Sequence, residues 1–399
     1  MNDQPTVSTE NMHPVPQSER IHILDILRGF AIFGILAVNL AGFASPAFLP
    51  GYTPPDSMPW YDELAQNLVL FFAEGKFYTI FAFLFGLGFA VQLARAAVKG
   101  KDIRSFYPRR LLVLFGFGVL HSILFWIGDI LRLYAVLGFP LLAFRKRSNR
   151  TLLIWVGALF SVSFVILGFL GAPGGKEEAI PGFDIVGMAR AAYTSASYLA
   201  VLGFQTFASP LSFLILFLIQ GPSVMALFLL GLIVGRLHFF ERLSEQRDVL
   251  WRVLWIGLAA GLMGNTLFVF AENGWLASLG FTVGAPALAA CYVSGLALLS
   301  LGARGARLLA PLGQVGRMAL SNYVLQSVIC AILFGGFGFG LYEEVGAAGL
   351  LGLTFLIYLV QIPLSVWWLR RFQFGPLEWL WRSLTYSKRQ PWRPSQPRP

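Results

Sequence analysis

His121 lies in an apolar run, RRLLVLFGFGVLHSILFWIGDILRLYAVLG (Arg109–Gly138), that contains no cysteine and no second histidine. An imidazole in such a place suits a general base, a proton relay or a hydrogen-bonding partner for a ligand, since it titrates near neutral pH. The plainer reading is a polar link between helices. Asp129 follows eight residues later, and Arg132 three beyond that. On an unbroken helix Asp129 would stand about 12 Å further along and about 80° round the axis from His121. A hydrogen bond between the two therefore needs a break in the helix. Zinc requires three or four ligands, and His13, His22 and His238 lie elsewhere, so no metal is expected.

Other polar side chains fall in or beside apolar runs. Asp25 and Arg28 precede the first run, Asn39 lies within it, and Glu74 and Lys76 open the second. Later come Asn265, Glu272, Asn322, Gln326 and Gln361. Each is costly in lipid and so a functional candidate, set against a boundary ion pair or a helix-to-helix hydrogen bond. Asn322 and Gln326, four residues apart, share a helix face. Asn39 is eleven residues past Arg28, and His121 eleven past Arg110, which puts both about 16 Å from the same boundary.

The elements that must position these groups follow from composition. Of 399 residues, 56% are hydrophobic and 13% charged, with 37 phenylalanines; soluble domains carry about 25% charged residues. The mean hydropathy is +0.67. A soluble enzyme, a DNA-binding domain and a disordered chain are excluded, leaving an all-α, polytopic membrane helix bundle. Runs long enough to span fall at 29–45, 77–98, 111–128, 130–144, 151–171, 210–235, 251–270, 284–302, 318–340 and 348–369. These predict ten transmembrane helices, with a very tight turn at Gly128-Asp129 and a kink at Gly221-Pro222.

Charge sets the orientation. Segments 99–110, 145–150, 236–252, 303–317 and 370–399 hold 23 of the 30 Lys and Arg residues and five acids. Segments 45–76, 172–208, 271–283 and 341–347 hold three basic residues and ten acids. Basic loops stay in the cytoplasm, so both termini are expected inside, and the net charge of +10 reflects topology and lipid contact rather than nucleic acid. The organisation reads as a disordered cytoplasmic tail (1–20), an N-terminal transmembrane half (21–171), an outer loop (172–208), a C-terminal half (209–371) and an interfacial aromatic and basic tail (372–399). The tail 1–20 lacks the features of a cleavable signal, so the first span is expected to direct insertion. The outer loop is expected to carry an interfacial helix around Met188–Leu199. Glycine pairs such as Gly86/Gly88, Gly116/Gly118 and Gly257/Gly261 predict close helix packing. Cys291 and Cys330 read as small buried hydrophobes.

RIHILDILRGFAIFGILAVN (Arg20–Asn39), EGKFYTIFAFLFGLGFA (Glu74–Ala90) and the His121 run resemble the YeiB family of bacterial inner-membrane proteins. GQVGRMALSNYVLQS (Gly313–Ser327) and FGPLEWLWRSLTY (Phe374–Tyr386) are similar to that family's C-terminal domain. The opening LDILRG (Leu24–Gly29) also resembles transmembrane acyltransferases: the heparan-alpha-glucosaminide N-acetyltransferase relatives and the bacterial surface-sugar O-acyltransferases. That resemblance implies transfer of an acyl group from cytoplasmic acyl-CoA, a co-substrate and not a bound cofactor, to a small-molecule, lipid or glycan acceptor at or beyond the membrane. In the O-acyltransferases a histidine follows the motif arginine by eleven residues. Here that place is Asn39, so the base is expected to be His121, tuned by Asp129. Asp25, Arg28, Arg109 and Arg110 are then expected near the acyl-CoA phosphates. Asn39, Glu74, Lys76, Arg132, Asn322 and Gln326 are expected to contact substrate. A proton-coupled solute transporter built on His121, Asp129 and Arg132 is the alternative reading.

Overall fold

Long apolar stretches with few internal breakers dictate helix, and helix is what forms. The computed structural model describes residues 21–55, 57–170 and 184–393, and no strand occurs among them. In chain order the helices are α1 (His22–Ala44), α2 (Trp60–Phe72), α3 (Lys76–Val98), α4 (Tyr107–Leu124) and α5 (Leu131–Ala143). Next come α6 (Asn149–Leu170), α7 (Ile185–Tyr193), α8 (Tyr198–Arg236), α9 (Arg247–Phe270) and α10 (Gly274–Ser300). The chain closes with α11 (Ala303–Arg317), α12 (Ala319–Phe334), α13 (Ala347–Arg371) and α14 (Pro376–Tyr386).

Among the described residues seven helical units are long and apolar enough to cross a membrane: α1, α2 with α3, α6, α8, α9, α10 and α13. Their outward faces carry Trp155, Ile256 and Leu359, all well exposed, which suits hydrocarbon and not water. Seven of the ten expected spans fall on these units. The run at 318–340 instead forms part of a broken pair, α11 and α12, bent by 75°. The two remaining runs, 111–128 and 130–144, become α4 and α5.

Helix α8 differs from expectation. It runs unbroken for 39 residues through Pro210 and Pro222, about 58 Å. Residues 198–208, expected as loop, are its first turns, and a separate helix, α7, forms at Ile185–Tyr193, a few residues before the stretch where an interfacial helix is expected. The expected tail 1–20, residues 172–183 of the expected loop and residues 394–399 of the expected C-terminal tail lie outside the described residues.

Glycine contacts set several crossings. A Cβ on Gly29 would meet the Leu312 carbonyl oxygen at 2.0 Å, and one on Gly316 would meet that of Asp25 at 1.8 Å. Helices α1 and α11 thus touch backbone to backbone at the LDILRG motif. Gly86 does the same against Phe228, and Gly264 against Gly284. Gly88 and Gly116 face nothing within 4 Å, so the packing role expected of them does not hold. Cys330 is buried and Cys291 partly so; both are free thiols.

Candidate functional site

Helix α4 stops three residues past His121, where the backbone N–H groups of Phe125 and Trp126 both turn to the His121 carbonyl, at 2.9 and 3.2 Å. A short non-helical segment follows, and Asp129 Oδ1 accepts the Arg132 backbone N–H at 2.9 Å as α5 begins. Gly118 lies against Asp129 and Arg132, while Gly138 lies against Leu111. Those two contacts pair α4 and α5 antiparallel, as a hairpin whose tip is residues 125–130. The break that His121 and Asp129 need is supplied there.

The hairpin brings Asp129 Oδ2 to 3.0 Å from His121 Nδ1. The oxygen sits out of line with the ring N–H, so this contact is electrostatic more than a well-formed hydrogen bond. On the far side of the ring, Nε2 is 2.8 Å from the Ser327 hydroxyl on α12. Tyr323, one turn earlier on α12, packs its ring 4.7 Å from the imidazole. Carboxylate, imidazole and hydroxyl thus form one line across two elements, all three buried. The Ser327 hydroxyl also lies 3.2 Å from the Tyr323 carbonyl, so its single proton has two possible acceptors.

Arg132 balances the carboxylate. Its Nε is 3.5 Å from Asp129 Oδ1. Its Nη1 donates to the Ser209 hydroxyl at 2.7 Å, and its Nη2 to the Ile127 carbonyl at 3.3 Å. Ser209 in turn donates to Ser122 at 3.0 Å. A non-helical segment leaves carbonyls without intrahelical partners, and in lipid each must be satisfied by protein. Helix α8 supplies them. The Tyr198 hydroxyl donates to the Leu124 carbonyl, Gln205 Nε2 to that of Phe125 and Ser212 to that of Ile127, at 2.5, 3.0 and 3.1 Å. Positions 198, 205, 209 and 212 share one face of α8, which explains why this helix extends so far.

The amides expected to meet substrate bond instead to one another. Gln326 Nε2 donates to Gln361 Oε1 at 2.8 Å, and Gln361 Nε2 to the Asn322 carbonyl at 3.0 Å. Asn322 Nδ2 donates to Ser365 at 3.0 Å and to the Val315 carbonyl at 3.1 Å. The three residues join α12 to α13 across the bend that follows α11. Asn265 donates to the Gly261 carbonyl within α9. Asn39 is only partly buried.

Lys76, expected among the substrate contacts, is fully buried. Its Nζ donates to the Leu70 carbonyl at 3.0 Å and lies 5.6 Å from the Phe268 ring. Glu74 is half-buried beside it, and Glu272 is exposed. Neither Glu74 nor Lys76 joins His121.

The basic residues gather at the opposite end of the bundle from the hairpin tip. Asp25 and Arg28 pair at 2.7 Å. Arg109 donates to Ser387, and Arg110 stacks 3.8 Å above Trp381 of α14. Arg28 and Arg110 lie close enough to repel each other. Arg236 holds the carbonyls of Phe144, Arg145 and Arg147. Buried Glu378 of α14 accepts the backbone N–H groups of Leu320 and Ser321 at the start of α12. Burial raises its pKa above the usual 4.5, against the pull of those donors.

Two small cavities, about 10 and 50 Å³, flank the hairpin tip at its other end. Neither is lined by Arg28, Asn39 or His121, and the His121 side chain is buried.

Residues 234–388 match the family model described as "Protein of unknown function (DUF418)". The uncharacterized protein YxaH of Bacillus subtilis (strain 168) is 36% identical, over 96% of this chain and 98% of its own length. An uncharacterized 39.9 kDa protein in the amylase 3′ region of Bacillus acidopullulyticus is 32% identical, over 95% and 98%. The uncharacterized protein YeiB of Escherichia coli (strain K12) is 28% identical, over 92% and 96%. The chain belongs to the YeiB-like family.

The DUF418 region holds Ser327, the amide network and Glu378, whereas His121, Asp129 and Arg132 precede it. The buried line of this YeiB-like chain therefore draws two residues from before the matched region and one from within it. Sequence reasoning missed Ser122, Ser209, Gln205, Ser327 and Glu378. Small hydroxyls are ordinary in membrane helices and carry no signal alone. Glu378 left one: it is the sole acid in the basic segment 370–399.

Proposed function

We propose that this protein is a bacterial inner-membrane acyltransferase, with ten membrane-embedded helical segments and cytoplasmic termini, that takes acyl groups from cytoplasmic acyl-CoA. The observation that supports this reading is the Asp129–His121–Ser327 line. A hydroxyl beside an imidazole that is backed by a carboxylate is the arrangement that activates a nucleophile. His121 Nε2 takes the proton of the Ser327 hydroxyl as it attacks the donor, and in a second step that of the acceptor hydroxyl that takes the acyl group from Ser327. Asp129 stabilises the imidazolium that results, and Arg132 holds Asp129 in place. The attacking oxygen bonds to the acyl carbonyl carbon, the thioester C–S bond breaks, and the proton on His121 passes to the leaving sulfur. Arg28, Arg109 and Arg110, gathered at the basic end, provide positive charge for the donor's phosphates.

Transfer of labelled acetyl groups from acetyl-CoA in proteoliposomes tests this. Wild-type protein should transfer label, and His121→Ala or Ser327→Ala should lose it while remaining folded. Full activity in His121→Ala would overturn the assignment.

The broken α4–α5 hairpin and the bent α11–α12 pair, both bordering buried ionisable or amide groups, favour a second reading. Discontinuous helices around a closed polar centre are also how transporters bind solute and protons. Proton flux in liposomes under a pH gradient, without acyl donor, would mark that alternative.

A further inference from the structure

Both cavities lie beyond the hairpin tip, on the side away from the basic end. The smaller, lined by Leu124, Gln205 and Cys330, is about 10 Å³, room for one water. Leu124 and Cys330 follow His121 and Ser327, respectively, by three residues, so this cavity begins just under one helical turn, about 4.5 Å, from the His121–Ser327 layer. The larger, about 50 Å³, is lined by Trp126, Ile127 and Ser212 on the other flank of the tip. No charged side chain lines either one. Gln205 is wholly buried, and its side-chain oxygen has no hydrogen-bond partner in the protein. A buried amide oxygen left in this way is costly unless a donor reaches it.

Tyr193, the last residue of α7, lines both cavities. It stacks 5.0 Å from Tyr342, accepts a hydrogen bond from Gln205 Nε2 at 3.2 Å, and receives the Gly336 N–H at 2.7 Å through its carbonyl. Beneath it, Ile185, Val186, Ala189 and Ala192 press on Ile127 and Phe204. Toward solvent, one two-pronged ion pair fastens α7 to the segment before α13: Arg190 donates to both oxygens of Glu343, at 2.8 and 2.9 Å.

We propose that α7 is a lid over a ligand entrance leading to the His121–Ser327 layer, latched by Arg190 and Glu343. The entrance takes a small uncharged group bearing a hydroxyl, whose donor satisfies the Gln205 oxygen. Its use as an acceptor route rests on the acyl-transfer reading; the existence of the entrance does not.

Cys330 reports on access. In a Cys291→Ser background it is the one thiol, and its alkylation by N-ethylmaleimide in detergent-solubilised protein needs no acyl donor. Arg190→Glu and Glu343→Arg should each speed alkylation at least about threefold, the scale of one well-formed exposed ion pair. The double exchange Arg190→Glu/Glu343→Arg should restore the parental rate. Equal rates in all variants would overturn the lid. So would an acceleration that the double exchange fails to reverse, because a latch must work in either polarity. Acceleration by Glu378→Ala alone would place the opening at the basic end and overturn it as well. A failed acyl-transfer assay would leave these outcomes untouched.

Discussion

Glu378 grips Ser321 from another helix: one carboxylate oxygen takes its backbone N–H at 3.1 Å and the other its hydroxyl at 2.5 Å. The first oxygen also takes the Leu320 N–H at 2.7 Å, so α14 caps α12, the helix that carries Ser327. The same α14 donates from Trp381 to the Arg110 carbonyl on α4, the helix that carries His121. One short helix, α14, therefore ties together the two helices that carry His121 and Ser327.

Removing that cap should be measurable. Glu378→Ala leaves two backbone N–H groups bare and should lower stability in detergent by about 1–2 kcal/mol, read as a fall in unfolding temperature. Its raised pKa adds a pH signature. A carboxyl that holds its proton more tightly when folded contributes stability that is fully present below the usual 4.5 and is lost as pH rises through the folded value. Wild-type protein should gain stability on acidification in that window relative to Glu378→Gln.

Asp129 and Arg132 make a buried pair, and breaking one side leaves a naked charge. Asp129→Ala should cost about 3–5 kcal/mol. The double variant Asp129→Asn/Arg132→Gln should recover part of that loss, as thermal unfolding of the purified variants would show. If the double variant were no more stable than Asp129→Ala, the pair would not be what holds the tip.

Ser327→Ala should leave stability nearly unchanged while lowering acyl transfer by about 100-fold or more. A loss shared by His121→Ala and not deepened in the double variant would mark the two as one unit. Additive losses would separate them.

The glycines offer an internal control. Gly29→Ala and Gly316→Ala should destabilise by about 1–3 kcal/mol, because each Cβ meets a backbone carbonyl of the crossing helix. Gly88→Ala and Gly116→Ala, with open space around them, should be neutral or stabilising by roughly 0.5–1 kcal/mol.

The apolar runs were legible in the sequence because lipid demands about twenty consecutive apolar residues, and seven of them became membrane-length helices. The hairpin tip was only half legible. Gly128-Asp129 marked a turn, but nothing local revealed that Phe125 would already leave the helix, since that depends on Tyr198, Gln205 and Ser212 arriving from far along the chain. Asp129 beside His121 followed once the break was allowed. Ser327 did not follow, because its meaning comes only from the neighbour it faces. Lys76 misled for the opposite reason: a charge near a span end usually reaches water, yet the turn at Ala73–Gly75 folds this one inward against Leu70 and Phe268.

Helix α8 is made after the hairpin it serves. As the chain leaves the ribosome, α4 and α5 emerge some sixty residues before Tyr198–Ser212, so the carbonyls at the tip must wait in water or within the insertion machinery until that partner appears. The hairpin tip, although synthesised early, thus finds its full set of partners only once α8 has been made. Variants that strip hydroxyls from the early turns of α8 should then show their defect during biogenesis, as hairpins left outside the bilayer.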